Sequence, residues 1–150
     1  MGRGRANEAF SNAVAQHGIS RHYRSNVIVD VDGVIVDFYN CPHKCSYEGY
    51  PETASTLKRL HCPIMKGAIK YLQKIRKLGL RIVLYTSRVE SERAVTKKHL
   101  KQCGIPYDEL RMDKPMGFLL VDDMSHNFTS WKRAYKAVVS RMKIAQGGKK

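Results

Sequence analysis

The chain has 150 residues, with 27 Lys or Arg against 13 Asp or Glu and a net charge of +14. That length fits one domain with a real core, and the charge points to a polyanionic partner or surface while saying nothing about fold. No apolar run approaches the roughly 20 residues of a membrane span, and no apolar stretch follows the early arginines, which argues against a secretory signal.

Residues 1–25 read as a basic N-terminal arm or short helix, with Arg3 and Arg5 ahead of Phe10, Ala13 and Val14 at helical spacing. A strand over 27–31 then runs into Asp30-Val31-Asp32-Gly33. Val27, Ile28 and Val29 are apolar without alternation, as in a strand buried on both faces of a parallel sheet. At the carboxyl end of such a strand the chain leaves the sheet, and ligands bind there in open α/β folds. Carboxylates at that depth need compensation, and a divalent cation with oxygen ligands would supply it. Three other readings stand beside this one. An EF-hand loop lacks its closing Glu and has Val34 where a ligand belongs. A glycosyltransferase Asp-x-Asp would hold a metal and a nucleotide sugar. A plain polar turn would use Gly33 for its positive φ.

Residues 38–65 are polar, aromatic and broken by Pro42, Gly49, Pro51 and Pro63, which reads as a flap or small insertion over a site. Cys41, His43, Cys45, His61 and Cys62 are residue types suited to structural zinc. Their spacing is not that of a standard pair of knuckles, so zinc is not the favoured reading.

Regular spacing resumes with a helix over 66–78, which turns Ala68, Ile69, Leu72 and Ile75 to one face and ends at Gly79. A strand over 80–85 leads to Thr86-Ser87-Arg88. A helix over 90–103 follows, with Val95, His99, Leu100 and Cys103 inward and Gly104 after it. A short strand over 105–112 and an apolar strand over 117–121 come next, the latter ending at Asp122-Asp123. A last helix over 127–144 carries Phe128, Trp131, Tyr135, Val138, Val139 and Met142 at helical spacing, before a flexible basic tail over 146–150. The alternation of strands and helices over 26–145 predicts an α/β fold, a Rossmann-like three-layer sandwich with a mainly parallel sheet.

That topology delivers Asp30 and Asp32, Thr86, and Asp122 and Asp123 to one sheet edge. Converging carboxylates suit Mg²⁺, which favours phosphate oxygens as further ligands. The Thr86 hydroxyl and the Lys114 ammonium would hold the remaining phosphate oxygens. With the anion neutralised, a carboxylate can attack phosphorus and form an aspartyl-phosphate, and a second acid can protonate the leaving oxygen and then activate water.

Asp30-Val31-Asp32-Gly33, Leu84-Tyr85-Thr86, Lys114-Pro115 and Leu120-Val121-Asp122-Asp123 stand in the order of four motifs that the chain resembles over about 27–127, those of the haloacid dehalogenase superfamily of phosphatases. The resemblance implies a fold of that type with a minimal cap insertion. It makes Asp30 the nucleophile, and Asp32 the acid/base with its carbonyl on the metal. Thr86 and Lys114 would hold the phosphoryl group. Asp122 would be a metal ligand, with Asp123 assisting through water or by orienting Lys114. Gly33, Ser87 and Arg88 complete the candidate substrate-binding set. The short insertion implies an open site. The expected activity is that of a Mg²⁺-dependent phosphomonoesterase acting on a nucleotide, a nucleic-acid end or another phosphorylated molecule. A sugar-phosphate phosphatase and a nucleic-acid- or partner-binding module of little activity are the alternatives.

Residues 127–150 contain no acid, and Lys132, Arg133, Lys136, Arg141 and Lys143 crowd the polar face of the last helix. This is either a solvated face or a phosphate-backbone footprint shared with Arg3 and Arg5. His17, His22, His99 and His126 show no pairing pattern. The four cysteines read as reduced thiols, consistent with an expected cytoplasmic location.

Overall fold

The structure is a computed structural model and describes residues 26–41, 59–115, 117 and 125–145. The N-terminal arm, most of the 38–65 insertion, all but Gly117 of the strand expected over 117–121, Asp122 and Asp123, and the 146–150 tail lie outside these residues. Three parallel strands, β1 (Asn26–Val29), β2 (Arg81–Tyr85) and β3 (Glu109–Arg111), form a sheet in the order β1-β2-β3. Val29 pairs with Leu84, and Leu84 pairs with Leu110, so the three carboxyl ends emerge at one edge. Helices α1 (Ala68–Lys77) and α2 (Arg93–Gln102) make the crossovers, and α3 (Trp131–Ala145) packs on α1. This is a small α/β fold, compatible with the expected Rossmann-like layout. Among the described residues no helix is long and apolar enough to cross a membrane.

The core follows the sequence pattern closely at the centre and less closely at the rim. Ile82, Val83 and Leu84 are all buried, as a central strand requires when both faces are covered. In α1, Ala68, Leu72 and Ile75 fall at positions i, i+4 and i+7 and are buried, while Lys70, Lys74 and Lys77 stay exposed. Gly79 follows at φ 82°, a left-handed conformation open to glycine, with its N–H on the Arg76 carbonyl. β1 departs from expectation, because Ile28 is 66% exposed although a strand buried on both faces was predicted. The strand lies at the margin of the described sheet, and only its Val29 face is sealed by the core.

Two helix starts also differ, for local reasons. α3 begins at Trp131 and not at residue 127, because Ser130 caps it. The Ser130 carbonyl accepts the Ala134 N–H, and its Oγ accepts the Arg133 N–H at 3.4 Å. The helix predicted over 90–103 opens with a 3₁₀ turn (Glu90–Glu92), where the Glu92 carboxylate reaches back to the Val89 N–H at 3.2 Å.

Cys41 and Cys62 form a disulfide, with their Cα atoms 4.8 Å apart. Their expected state as reduced thiols is therefore corrected. The bond joins the two ends of the 38–65 insertion and engages two of the five residues considered for zinc; His43 and Cys45 lie outside the described residues. Cys103 remains a thiol, and burial pushes its pKa up, which suits an inert side chain better than a nucleophile.

Candidate active site

β1 ends at Val29, just before Asp30, and the next residues fold back in a tight turn. Ile35 and Val36 donate to the Val31 carbonyl, and Gly33 donates to the Val36 carbonyl, each at 2.9 Å. Gly33 adopts φ 81°, and a Cβ there would meet the Tyr39 ring at 3.2 Å, so glycine serves both the turn and the close ring contact. These bonds pass over the Asp32 carbonyl. The Trp131 indole at the head of α3 donates to the Val34 carbonyl at 2.8 Å and ties that helix to the turn. Trp131 is buried, as its core spacing predicts.

The two aspartates of this turn go to different cations. Asp30 Oδ1 accepts the Val31 N–H at 2.7 Å, and Oδ2 is ion-paired with the Lys114 ammonium. The two side chains are 35% and 28% exposed, so the pair can be reached by a ligand. Asp32 is held in a two-point grip by Arg88, with Nε on Oδ2 at 2.9 Å and Nη2 on Oδ1 at 2.6 Å. Both of those side chains are nearly sealed, at 6% and 3% exposure. Arg88 Nη1 donates in turn to Thr96 Oγ1 on α2 at 3.0 Å. Lys114 and Arg88 thus place positive charge beside both carboxylates.

The loops carrying these cations are joined through Thr86. Its carbonyl accepts the Lys114 N–H at 2.9 Å, and its Oγ1 accepts the Arg88 N–H at 3.2 Å. Asp113 donates its N–H to the Arg88 carbonyl at 2.9 Å. At φ 57°, Asp113 is the single non-glycine among the described residues in the left-handed region, a conformation Asp tolerates better than most. That bend brings Lys114 back beside Asp30.

Of the sequence-predicted residues, Asp30, Asp32, Thr86, Arg88 and Lys114 are brought together, with Gly33 in the turn and Ser87 half-buried between Thr86 and Arg88. Arg88, a candidate for substrate contact, has its guanidinium on Asp32 and Thr96. Asp122 and Asp123 lie outside the described residues, and among those described no group of three or more His, Cys, Asp or Glu side chains gathers as a metal site. The sequence reading missed Thr96, Asp113 and the Trp131–Val34 bond. A hydroxyl three residues before the inward His99 was the one available signal for Thr96.

His99 is buried on α2, and its Nε2–H donates to the Cys62 carbonyl at 3.1 Å, which leaves Nδ1 unprotonated and without a partner among the described residues. Burial, and then the Arg88 charge, lower its pKa from 6.5. The folded state therefore resists a proton that the unfolded chain accepts. Stability conferred by neutral His99 is complete above about pH 6.5 and is lost as pH falls toward the lowered native pKa. Urea midpoints should drop across that window, with a slope of up to about 1.4 kcal/mol per pH unit. A His99→Gln variant should lose that component of the slope, and an unchanged slope would contradict it.

No family model and no curated protein matches the chain. A crystal structure of a target protein from Vibrio cholerae is similar, with a TM-score of 0.52 and 18% identity over 78% of this chain and 98% of that one. At that identity the likeness shows the fold alone, and it agrees with the α/β arrangement described above.

Proposed function

We propose that the chain is a Mg²⁺-dependent phosphomonoesterase of haloacid dehalogenase type, working through an aspartyl-phosphate on Asp30. The observation that carries this reading is the accessible Asp30–Lys114 pair at the carboxyl end of β1, beside Thr86. A carboxylate next to an ammonium suits attack on a phosphate, because the cation offsets the repulsion between two anions.

The donor set fits a magnesium ion. Asp30 offers carboxylate oxygens, and Asp32 offers a carbonyl not used by the turn, a modest set of the kind Mg²⁺ accepts while keeping water and phosphate ligands. By the motif order, Asp122 and Asp123 would add carboxylates. When bound, the ion would neutralise phosphate charge. With Asp32 protonated, Asp30 attacks phosphorus and the ester P–O bond breaks as Asp32 passes that proton to the leaving oxygen. Water then attacks phosphorus, Asp32 takes its proton, and the bond to Asp30 breaks to release inorganic phosphate. For either transfer, Asp32 must exchange one of its two Arg88 bonds for the reacting oxygen. The net charge of +14 favours a phosphate carried by a nucleotide or nucleic-acid end over one on a neutral sugar.

Hydrolysis of p-nitrophenyl phosphate tests the reading. Release of p-nitrophenol should require Mg²⁺, stop in EDTA and return with excess Mg²⁺. Hydrolysis indifferent to EDTA, or none on a panel of phosphomonoesters, would overturn it.

A further inference from the structure

α1 and α3 pack side by side, and neither contains an acidic residue. Across their 10 and 15 residues they carry four and five basic side chains. Arg76 is paired with Asp108, but the remaining like charges repel one another, and a polyanion would relieve that repulsion. The face also has an aromatic element. The rings of Tyr71 on α1 and Tyr135 on α3 lie 5.6 Å apart, and the Lys74 ammonium sits 5.4 and 5.5 Å from their two centroids. Beside Tyr135 is a groove of about 310 Å³ lined by Tyr135, Lys136, Val139, Ser140 and Lys143. Lys136 and Lys143 of its lining are exposed, as are Lys74 and Lys70 beside the tyrosine rings.

From this arrangement we infer that the α1–α3 face is a docking surface for single-stranded nucleic acid. Lysines spaced along two adjacent helices suit successive phosphates, and the release of counterions drives that contact. Tyr71 and Tyr135 are half-buried against the core, and what they leave exposed, with Val139, offers a stacking edge that an unpaired base can use and a duplex with paired, stacked bases cannot. Both features in one place favour a single strand over a lipid surface, for which the face shows no large exposed apolar stripe among the described residues. At its head α3 abuts the Asp30–Val36 turn through the Trp131–Val34 bond, so a strand lying along this helix runs toward the sheet edge. The docking surface does not depend on the phosphatase reading.

The test uses the full chain, EDTA to suppress turnover, and a fluorescein-labelled oligo(dT) without terminal phosphate, followed by anisotropy. The wild type should bind with log affinity falling linearly in log salt. Lys70→Ala/Lys74→Ala/Lys136→Ala/Lys143→Ala should reduce the magnitude of that slope by up to about 0.7 for each lysine removed. Tyr135→Leu should weaken binding about tenfold with the slope nearly kept. Thermal melts establish that each variant is folded, and the lysine variant alters only exposed side chains. Absence of oligonucleotide binding in low salt would overturn the inference. So would binding unchanged in both variants, or binding confined to anionic phospholipid vesicles. Because hydrolysis is not read, failure here leaves the p-nitrophenyl phosphate result standing, and the reverse holds equally.

Discussion

Replacing Arg88 with alanine is expected to destabilise the fold by about 3–5 kcal/mol, the usual consequence of stranding one partner of a buried ion pair. The geometry explains the size of the effect. Asp32 has both oxygens on one guanidinium, and the two side chains are almost closed to water. Removing that guanidinium leaves a charge with neither solvent nor partner, and it also strands Thr96 Oγ1. Arg88→Lys should recover little, since an ammonium cannot make the two parallel bonds. Arg88→Ala/Asp32→Asn should regain part of the lost stability by removing the stranded charge, while catalysis stays absent. Urea unfolding of the four species of this double-mutant cycle measures the coupling. Additive losses within about 0.5 kcal/mol would show that the pair is not the unit described.

Asp30→Asn should behave in the opposite way, with little change in stability and a very large change in turnover. Its pair with Lys114 is partly open to solvent, and such pairs contribute about 0–1 kcal/mol. The amide keeps the shape and can still accept the Val31 N–H, so the melt should stay close to that of the wild type. As a nucleophile toward phosphorus, however, an amide oxygen is poor. Hydrolysis of p-nitrophenyl phosphate should fall by about three orders of magnitude or more. A single variant that melts normally and does not turn over would locate the defect in chemistry. Robust hydrolysis by Asp30→Asn would remove Asp30 from the mechanism. The two aspartates, two residues apart in sequence, thus differ in setting: Asp32 is nearly sealed against Arg88, and Asp30 is partly open beside Lys114.

Sequence carried the elements whose signals are local. The spacing of Ala68, Leu72 and Ile75 marked α1, the unbroken apolar run of Ile82, Val83 and Leu84 marked the central strand, and the rise into Asp30 marked the sheet edge. Helix starts were less legible because a capping serine looks like any loop serine until its Oγ finds an N–H, as Ser130 does with Arg133. Arg88 was legible as a residue of interest, but its bonds to Asp32 were not. Its partner lies 56 positions earlier, and a guanidinium after a strand reads equally well as a ligand for substrate. The Cys41–Cys62 bond was hidden for a similar reason, since four cysteines permit three complete pairings and sequence spacing selects none of them. Depth calls for compensation at Asp32 but not at Asp30, which is partly open, and the contacts with Arg88 and Lys114 span too much sequence to be read from it.

The central claim is that Asp30 accepts the phosphoryl group. Mixing the protein with p-nitrophenyl phosphate and Mg²⁺, quenching in acid and reducing with borohydride converts any phospho-aspartate to homoserine, which peptide mass spectrometry locates. Homoserine at the position of Asp30, absent without substrate and absent in Asp30→Asn, is the predicted result. Rapid hydrolysis with no homoserine, or with homoserine at Asp32 instead, would contradict the account.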